Sequence, residues 1–253
     1  MIADLKCKVV LVTGASTGIG AAVARAFGAN GARVVVHYHA SEAAARDVVA
    51  AVKGAGGDAV ALRADARAPA ELAKLVDDSA AHFGGLDVLI NNAGDLVGRR
   101  SITDGDDALL QLFELNMRSV VVASRAAIPH LRRRGGGSII NTTSISARNG
   151  GGPGSVLYSA SKGFVSTFTR GLAKELAPDG IRVNAVAPGV ITTPLQARHT
   201  TPAQLEAFRA TMPMGRLGVA DECAGAYLYL ASEALASYVT GQVLEVNGGQ
   251  LMP

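Results

Sequence analysis

Tryptophan is absent from this chain of 253 residues, and aromatic side chains make up only 4% of it. A core therefore has to come from Ala, Val, Leu and Ile, and the 49% hydrophobic content is enough for a sizeable one. Cysteine is nearly absent too. Cys7 and Cys223 lie far apart in apolar stretches, which predicts two buried free thiols rather than a disulfide, and a reducing, cytoplasmic setting. No apolar run approaches the 18 residues of a membrane span. Asp4, Lys6 and Lys8 interrupt the first residues, so no signal peptide is expected. Charge of one sign is also lacking: 24 Lys and Arg face 21 Asp and Glu, a net +3. The one basic run, Arg132 to Arg134, closes an apolar helical pattern and precedes three glycines. Cations at a helix C-terminus explain it, and without aromatic platforms it does not predict a nucleic-acid surface. Linkers, repeats and low-complexity tracts are missing as well. The length suits one α/β domain spanning 1–253.

What is present is a regular alternation. Val9 to Val12 is a short, wholly apolar run, as expected of a strand buried on both faces. Further strands are expected at 33–38, 58–62, 86–90, 138–142, 181–187 and 243–246. Helical patterns lie between them: one ending near Asn30, one capped by Ser41 and running to about 55, one opened by Pro69, and longer ones over 106–131, 155–177 and 219–231. Such alternation predicts a doubly wound parallel sheet. The polar, helix-like stretch 194–217 reads as a mobile lid.

Chemistry gathers where strands end. After the first strand comes Thr13-Gly14-Ala-Ser16-Thr17-Gly18-Ile19-Gly20 and then a helix. Glycines let a backbone approach a pyrophosphate, and the helix N-terminus supplies free N–H groups. Asp65 follows the third strand, Asn91-Asn92-Ala93-Gly94 the fourth and Ser144 the fifth. Ligands of open α/β sheets bind outside those carboxyl ends. Tyr158 and Lys162 are four apart, on one face of a helix that starts at Ser155. A tyrosine ordinarily ionises near pH 10, and a neighbouring ammonium favours the phenolate. With Ser144 to hold an oxygen, these residues form a proton-transfer site for a carbonyl or alcohol. His37 and His39 alternate on the second strand without a third ligand at useful spacing, so no metal site is expected.

In this order, Thr13-Gly14-x-x-x-Gly18-x-Gly20, Asn91-Asn92-Ala93-Gly94, Asn116, Ser144, Tyr158-x-x-x-Lys162, Pro188-Gly189 and Asn247-Gly248-Gly249 resemble the short-chain dehydrogenase/reductase family along the whole chain. The Ser144–Tyr158 gap is one residue longer than in many members, taken up by Gly150 to Gly154. The resemblance implies a single-domain Rossmann-type α/β fold with about seven parallel strands and helices on both faces. It implies that Tyr158 is general acid or base, that Lys162 lowers its pKa and holds the nicotinamide ribose, that Ser144 holds the substrate oxygen, and that Asn116 anchors a water reaching Lys162. Gly14, Ser16, Thr17, Gly18, Ile19, Gly20, Ala93, Gly94, Pro188 and Gly189 would bind the cofactor. Asp65 and Ala66 would meet the adenine, Asn92 its ribose, and Ile191 and Thr193 the nicotinamide end. A homotetramer built on the two long helices is implied as well.

Cofactor choice should be made where the second strand ends. NAD-specific members usually have Asp there; here Tyr38 is neutral, followed by His39 and Ser41. NADP is therefore expected as the preferred cofactor, with NAD possible. The substrate pocket should lie near Asp95, Ser146, Arg148, Leu157, Val190 and Leu195. The expected activity is hydride transfer between NAD(P) and a small sugar, polyol or ketone. The alternatives are a 3-oxoacyl-carrier-protein reductase and a non-catalytic dinucleotide-binding module.

Overall fold

In a computed structural model describing residues 1–252, the strands are β1 (Val9–Val12), β2 (Arg33–Tyr38), β3 (Asp58–Arg63), β4 (Val88–Asn91), β5 (Gly137–Thr142), β6 (Ile181–Pro188), β7 (Ile191–Thr192), β8 (Gly218–Val219) and β9 (Val243–Val246). The helices are α1 (Gly18–Ala29), α2 (Glu42–Gly54), α3 (Pro69–Phe83), α4 (Asp107–Leu112), α5 (Ser119–Arg133), α6 (Ser146–Asn149), α7 (Val156–Leu176), α8 (Pro194–His199), α9 (Pro202–Ala210), α10 (Ala220–Ala231) and α11 (Glu233–Ala236). Seven strands form one parallel sheet in the order β3-β2-β1-β4-β5-β6-β9. A second sheet, β7 with β8, was not expected from the sequence.

Each central strand serves two cores, because successive side chains point to opposite faces. Val10, Val12, Val34 and Val36 pack under α1, α2 and α10. Val9, Leu11, Val35 and Leu89 pack under α3, α5 and α7. Removing each such side chain from water is worth about 1.5–3 kcal/mol. The strands are therefore apolar throughout rather than alternating. A buried polar chain crosses the second core: Asn91 donates to Ser124 and to Asn141 (3.1 and 2.8 Å), and Asn141 donates to Thr169 (2.9 Å). It ties β4 and β5 to α5 and α7.

Four expectations need correction. The helix expected over 106–131 is interrupted by a π-helical segment, Phe113–Arg118. Cys7 is exposed, in a turn with φ 63°, and only Cys223 is buried. Burial pushes the Cys223 thiol up to about 12. Ser41 does occupy the N-cap position of α2, but its side chain makes no capping hydrogen bond. The fourth strand begins at Val88 rather than at 86.

Candidate active site

The strand order turns back between β1 and β4, which parts the chain into a crevice above the sheet. Thr13 and Asn92 brace its two sides. The Thr13 hydroxyl accepts the N–H groups of Asn92 and Ala93 (2.9 and 3.0 Å), and the Asn92 amide donates to the carbonyls of Thr13 and Gly14 (3.0 and 3.1 Å). Gly14 sits at φ 63°. A Cβ at Gly20 would collide with the Gly14 carbonyl and lie 2.5 Å from Asn92 Nδ2. The loop is thereby held against β4 with the start of α1 facing the crevice, a shape that fits a pyrophosphate. His37 completes the brace from β2. Its Nδ1 accepts the Gly14 N–H (2.9 Å), so the ring proton lies on Nε2, 3.1 Å from the Ala64 carbonyl.

On the other side of the crevice, α7 presents Tyr158 and Lys162 one turn apart, and Ser144 follows the end of β5. Lys162 is buried, donates from Nζ to the Thr142 carbonyl (2.9 Å) and lies 5.8 Å from the centre of the Tyr158 ring. Burial lowers the Lys162 pKa to about 8. The Tyr158 pKa is raised, first by desolvation and further by the Asp95 charge, against a downward pull from Ser144. Desolvation is the largest influence on Tyr158 in this arrangement, and the Lys162 ammonium is held at a backbone carbonyl.

The π-helical turn before α5 carries Asn116, which is fully buried. Its Oδ1 accepts the Asp95 N–H (3.0 Å), and its Nδ2 donates to the Asp95 carbonyl and to Ser161 Oγ (2.9 and 3.1 Å). π-turns inside helices occur frequently at functional sites. Here the turn joins α7 to the loop after β4.

These elements surround a cavity of about 780 Å³. Of the residues singled out from the sequence, Gly14, Ser16, Thr17, Gly18, Ile19, Tyr38, His39, Ser41, Asp65, Ala66, Asn92, Ala93, Gly94, Ser144, Tyr158, Lys162, Pro188, Gly189, Ile191 and Thr193 line it. Gly20 and Asn116 stand behind the wall. Asp95, Ser146, Val190 and Leu195 also line it, whereas Arg148 and Leu157 do not. Arg148 extends instead toward Glu245 (3.9 Å). The sequence reading missed Arg67, Arg99, Arg198 and Phe208, which also line the cavity. Arg67 pairs with Asp65 (2.9 Å), two residues away, a spacing that could have flagged it. The others come from the lid and from the loop after β4, where no local motif marks them. Among the described residues no group of three or more His, Cys, Asp or Glu could hold a metal ion, and no helix is long and apolar enough to cross a membrane.

A family model described as enoyl-(acyl carrier protein) reductase matches residues 14–250. The chain is 41% identical to 3beta-hydroxysteroid dehydrogenase 1 of Eggerthella lenta, over 100% of this chain and 97% of that protein. Its structure is similar to NADH-dependent reductase A1-R′ complexed with NAD, with a TM-score of 0.89 and 40% identity, covering 100% of both chains. It is also similar to a short-chain dehydrogenase of Burkholderia cenocepacia J2315 in complex with NADP, with a TM-score of 0.91 and 37% identity, covering 98% of this chain and 99% of that one. Full-length matches of this kind, on a seven-stranded parallel sheet, show an NAD(P)-dependent oxidoreductase of CH–OH and C=O groups, and the chain belongs to the short-chain dehydrogenase/reductase family.

Proposed function

We propose that this oxidoreductase acts on a small free carbonyl compound or secondary alcohol, with Ser144, Tyr158, Lys162 and Asn116 as its catalytic set. The observation that carries this reading is the convergence of Ser144, Tyr158 and Lys162 on the cavity that the glycine loop also lines. The nicotinamide coenzyme supplies or accepts the hydride. Ser144 Oγ donates to the substrate oxygen, and Tyr158 delivers the phenolic proton to it in reduction or removes it in oxidation. Lys162, its pKa lowered to about 8, returns a proton to Tyr158 after reduction and takes one from it in oxidation. Asn116 fixes the loop after β4 against α7 through Asp95 and Ser161. The coenzyme fits the residues present: a Cβ at Gly94 would lie 3.1 Å from Asn116 Oδ1 and 3.3 Å from Lys162 Nζ, so the floor of the cavity is free only because that position is glycine. Screening small ketones, sugars and polyols in both directions with NAD(H) and NADP(H) tests the reading. Turnover of none of them, with turnover of carrier-bound substrates alone, would overturn it.

NADP(H) is the preferred coenzyme in this reading. Tyr38 offers no carboxylate to repel a 2′-phosphate. Arg63 pairs with Tyr38 across β2 and β3, and its Nε holds the His39 carbonyl (3.2 Å). His37 is committed to Gly14, so His39 is the histidine left for the phosphate. A carrier-protein substrate is disfavoured by position: Arg132 pairs with Asp179 and Arg134 with Asp87, beside the starts of β6 and β4, at the sheet end opposite the cavity.

The chain acts as one catalytic domain in the cytoplasm, with 194–217 as a lid. A capping box at Thr201 starts α9, whose Phe208 lines the cavity. The assembly is a homotetramer. Val120 and Leu172, on the two long helices, are core residues, and Phe164 stacks on Phe168 at 5.9 Å. The support comes from Leu109, Leu110, Phe113 and Val156, which are exposed on and beside the two long helices. A monomer mass by light scattering would exclude it.

A further inference from the structure

Arg99 lies in the loop after β4 and lines the cavity. It is half-buried, and no carboxylate stands within 4 Å of it among the described residues. The other arginines of the lining are paired, Arg67 with Asp65 and Arg198 with Asp95. Lys162 is held at the Thr142 carbonyl. Arg99 is thus the one lining arginine that is partly desolvated without a counter-ion. Its pKa is lowered, with burial as the sole cause. A cation in such a place ordinarily has an acid partner.

Its surroundings hold it in one pose. Nε donates to the His199 carbonyl (3.0 Å), Nη1 to the Pro153 carbonyl (3.2 Å) and Nη2 to Thr200 Oγ1 (3.4 Å). The Phe208 ring centre lies 5.8 Å from the guanidinium carbon. The lid, α9 and the glycine-rich turn before α7 therefore all meet on this side chain. A Cβ at Gly152 would lie 3.5 Å from Phe208 Cζ and 3.6 Å from Arg99 Nη1, ordinary contact distances, so the glycine leaves room for a methyl group there. A guanidinium has five N–H donors. Three are engaged, and one remains on each terminal nitrogen, as many as a carboxylate takes in a bidentate pair.

We propose that Arg99 is an anion-binding residue of the substrate pocket, and that the substrate is an oxo or hydroxy acid whose carboxylate lies at the end remote from the reacting carbon. The remote placement follows from Asp95. That carboxylate is held by His199 (2.8 Å) and Arg198 (3.6 Å) and acts electrostatically on Tyr158. An α-oxo acid would set its own charge beside Tyr158 and near the Asp95 carboxylate, which repels it. A longer oxo acid places its carbonyl at Ser144 and Tyr158 and its charge at Arg99. The inference rests on the reading of this cavity as a carbonyl-reducing site and gives that site a substrate class.

The test compares 5-oxohexanoate with its methyl ester, and with pyruvate, in the wild-type holoenzyme, Arg99→Met and Arg99→Lys. The wild type is expected to favour the acid over the ester by at least about tenfold in kcat/KM, and to favour 5-oxohexanoate over pyruvate. Arg99→Met should bring the acid-to-ester ratio close to one, mainly through KM for the acid, and Arg99→Lys should restore part of it. A residue that only pins the lid would affect acid and ester alike. An ester preferred by the wild type, or an unchanged ratio in Arg99→Met, overturns the proposal. If neither compound turns over, calorimetric titration of the coenzyme-saturated protein with 5-oxohexanoate decides: binding weakened in Arg99→Met supports the site, and absent or unaltered binding overturns it. Failure to reduce any carbonyl in the wider screen, with acid binding through Arg99 intact, would sink the reductase reading and leave the anion site standing.

Discussion

His37 Nδ1 accepts the backbone N–H of Gly14 at 2.9 Å, so a buried imidazole on β2 supports the loop that faces the coenzyme. The bond exists only while Nδ1 is unprotonated. Desolvation, the largest cause, holds the His37 pKa below its ordinary 6.5. A folded-state pKa depressed in this way means that the unfolded chain binds the extra proton first. The stabilisation is therefore complete above about pH 6.5 and is lost as pH falls toward the folded value. Coenzyme affinity, a property of the folded protein, should hold over that range and decline only once the pH reaches the folded value. Replacing His37 with Leu leaves the Gly14 N–H unsatisfied, at a cost of about 1–3 kcal/mol, and should flatten the acid limb. Thermal unfolding and coenzyme titration between pH 5 and 8 measure both; an unchanged acid limb in the variant would rule the idea out.

Tyr158→Phe removes the proton that the substrate oxygen needs. Turnover should fall by at least about a hundredfold, with coenzyme affinity nearly intact. Lys162→Ala should impair both turnover and coenzyme binding. Since Tyr158 acts as phenol in reduction and as phenolate in oxidation, reduction should slow and oxidation quicken with rising pH. Retention of more than about half the activity in Tyr158→Phe would show that another group moves the proton.

Asp95 raises the proton affinity of Tyr158 by its charge. Asp95→Asn keeps the backbone bonds to Asn116 available and removes that charge. The pH–rate curve for oxidation should shift to lower pH. KM should rise as well, because the Asp95–His199 contact holds the lid. An oxidation profile unmoved or shifted upward would contradict this electrostatic role.

Tyr38 marks the coenzyme choice. Each hydrogen bond to a charged phosphate is worth about 1.5–3 kcal/mol, and no acid opposes it at this position. A preference for NADP(H) of about ten- to a hundredfold is expected, and Tyr38→Asp should reverse it. Comparing kcat/KM for both coenzymes is sufficient, and a native preference for NAD(H) above about tenfold would refute the reading.

Local sequence carried much of the architecture. Val9 to Val12 and Arg33 to Tyr38 were legible as strands because a strand buried on both faces has no polar alternation to confuse it. The ends of those strands pointed to the crevice for the same reason. The break at Asn116 was not legible. Its π-turn goes with a side chain bonded to Asp95, twenty-one residues back, and helical periodicity contains no such term. Arg148 illustrates a second failure: residues near a motif in sequence need not face the cavity once the turn before α7 has been set.

By itself, then, the sequence determined the strand-and-helix alternation, the two-sided core and the family, since each depends on residue type at short spacing. Tertiary structure decided what depends on distant partners: that His37 supports the glycine loop, that burial raises the Tyr158 pKa, that Cys7 is exposed, and that Arg99 lines the cavity with no carboxylate near it among the described residues. Burial and charge pairing are properties of neighbours in space, and only the folded chain brings residues 99, 153, 199 and 208 to one point.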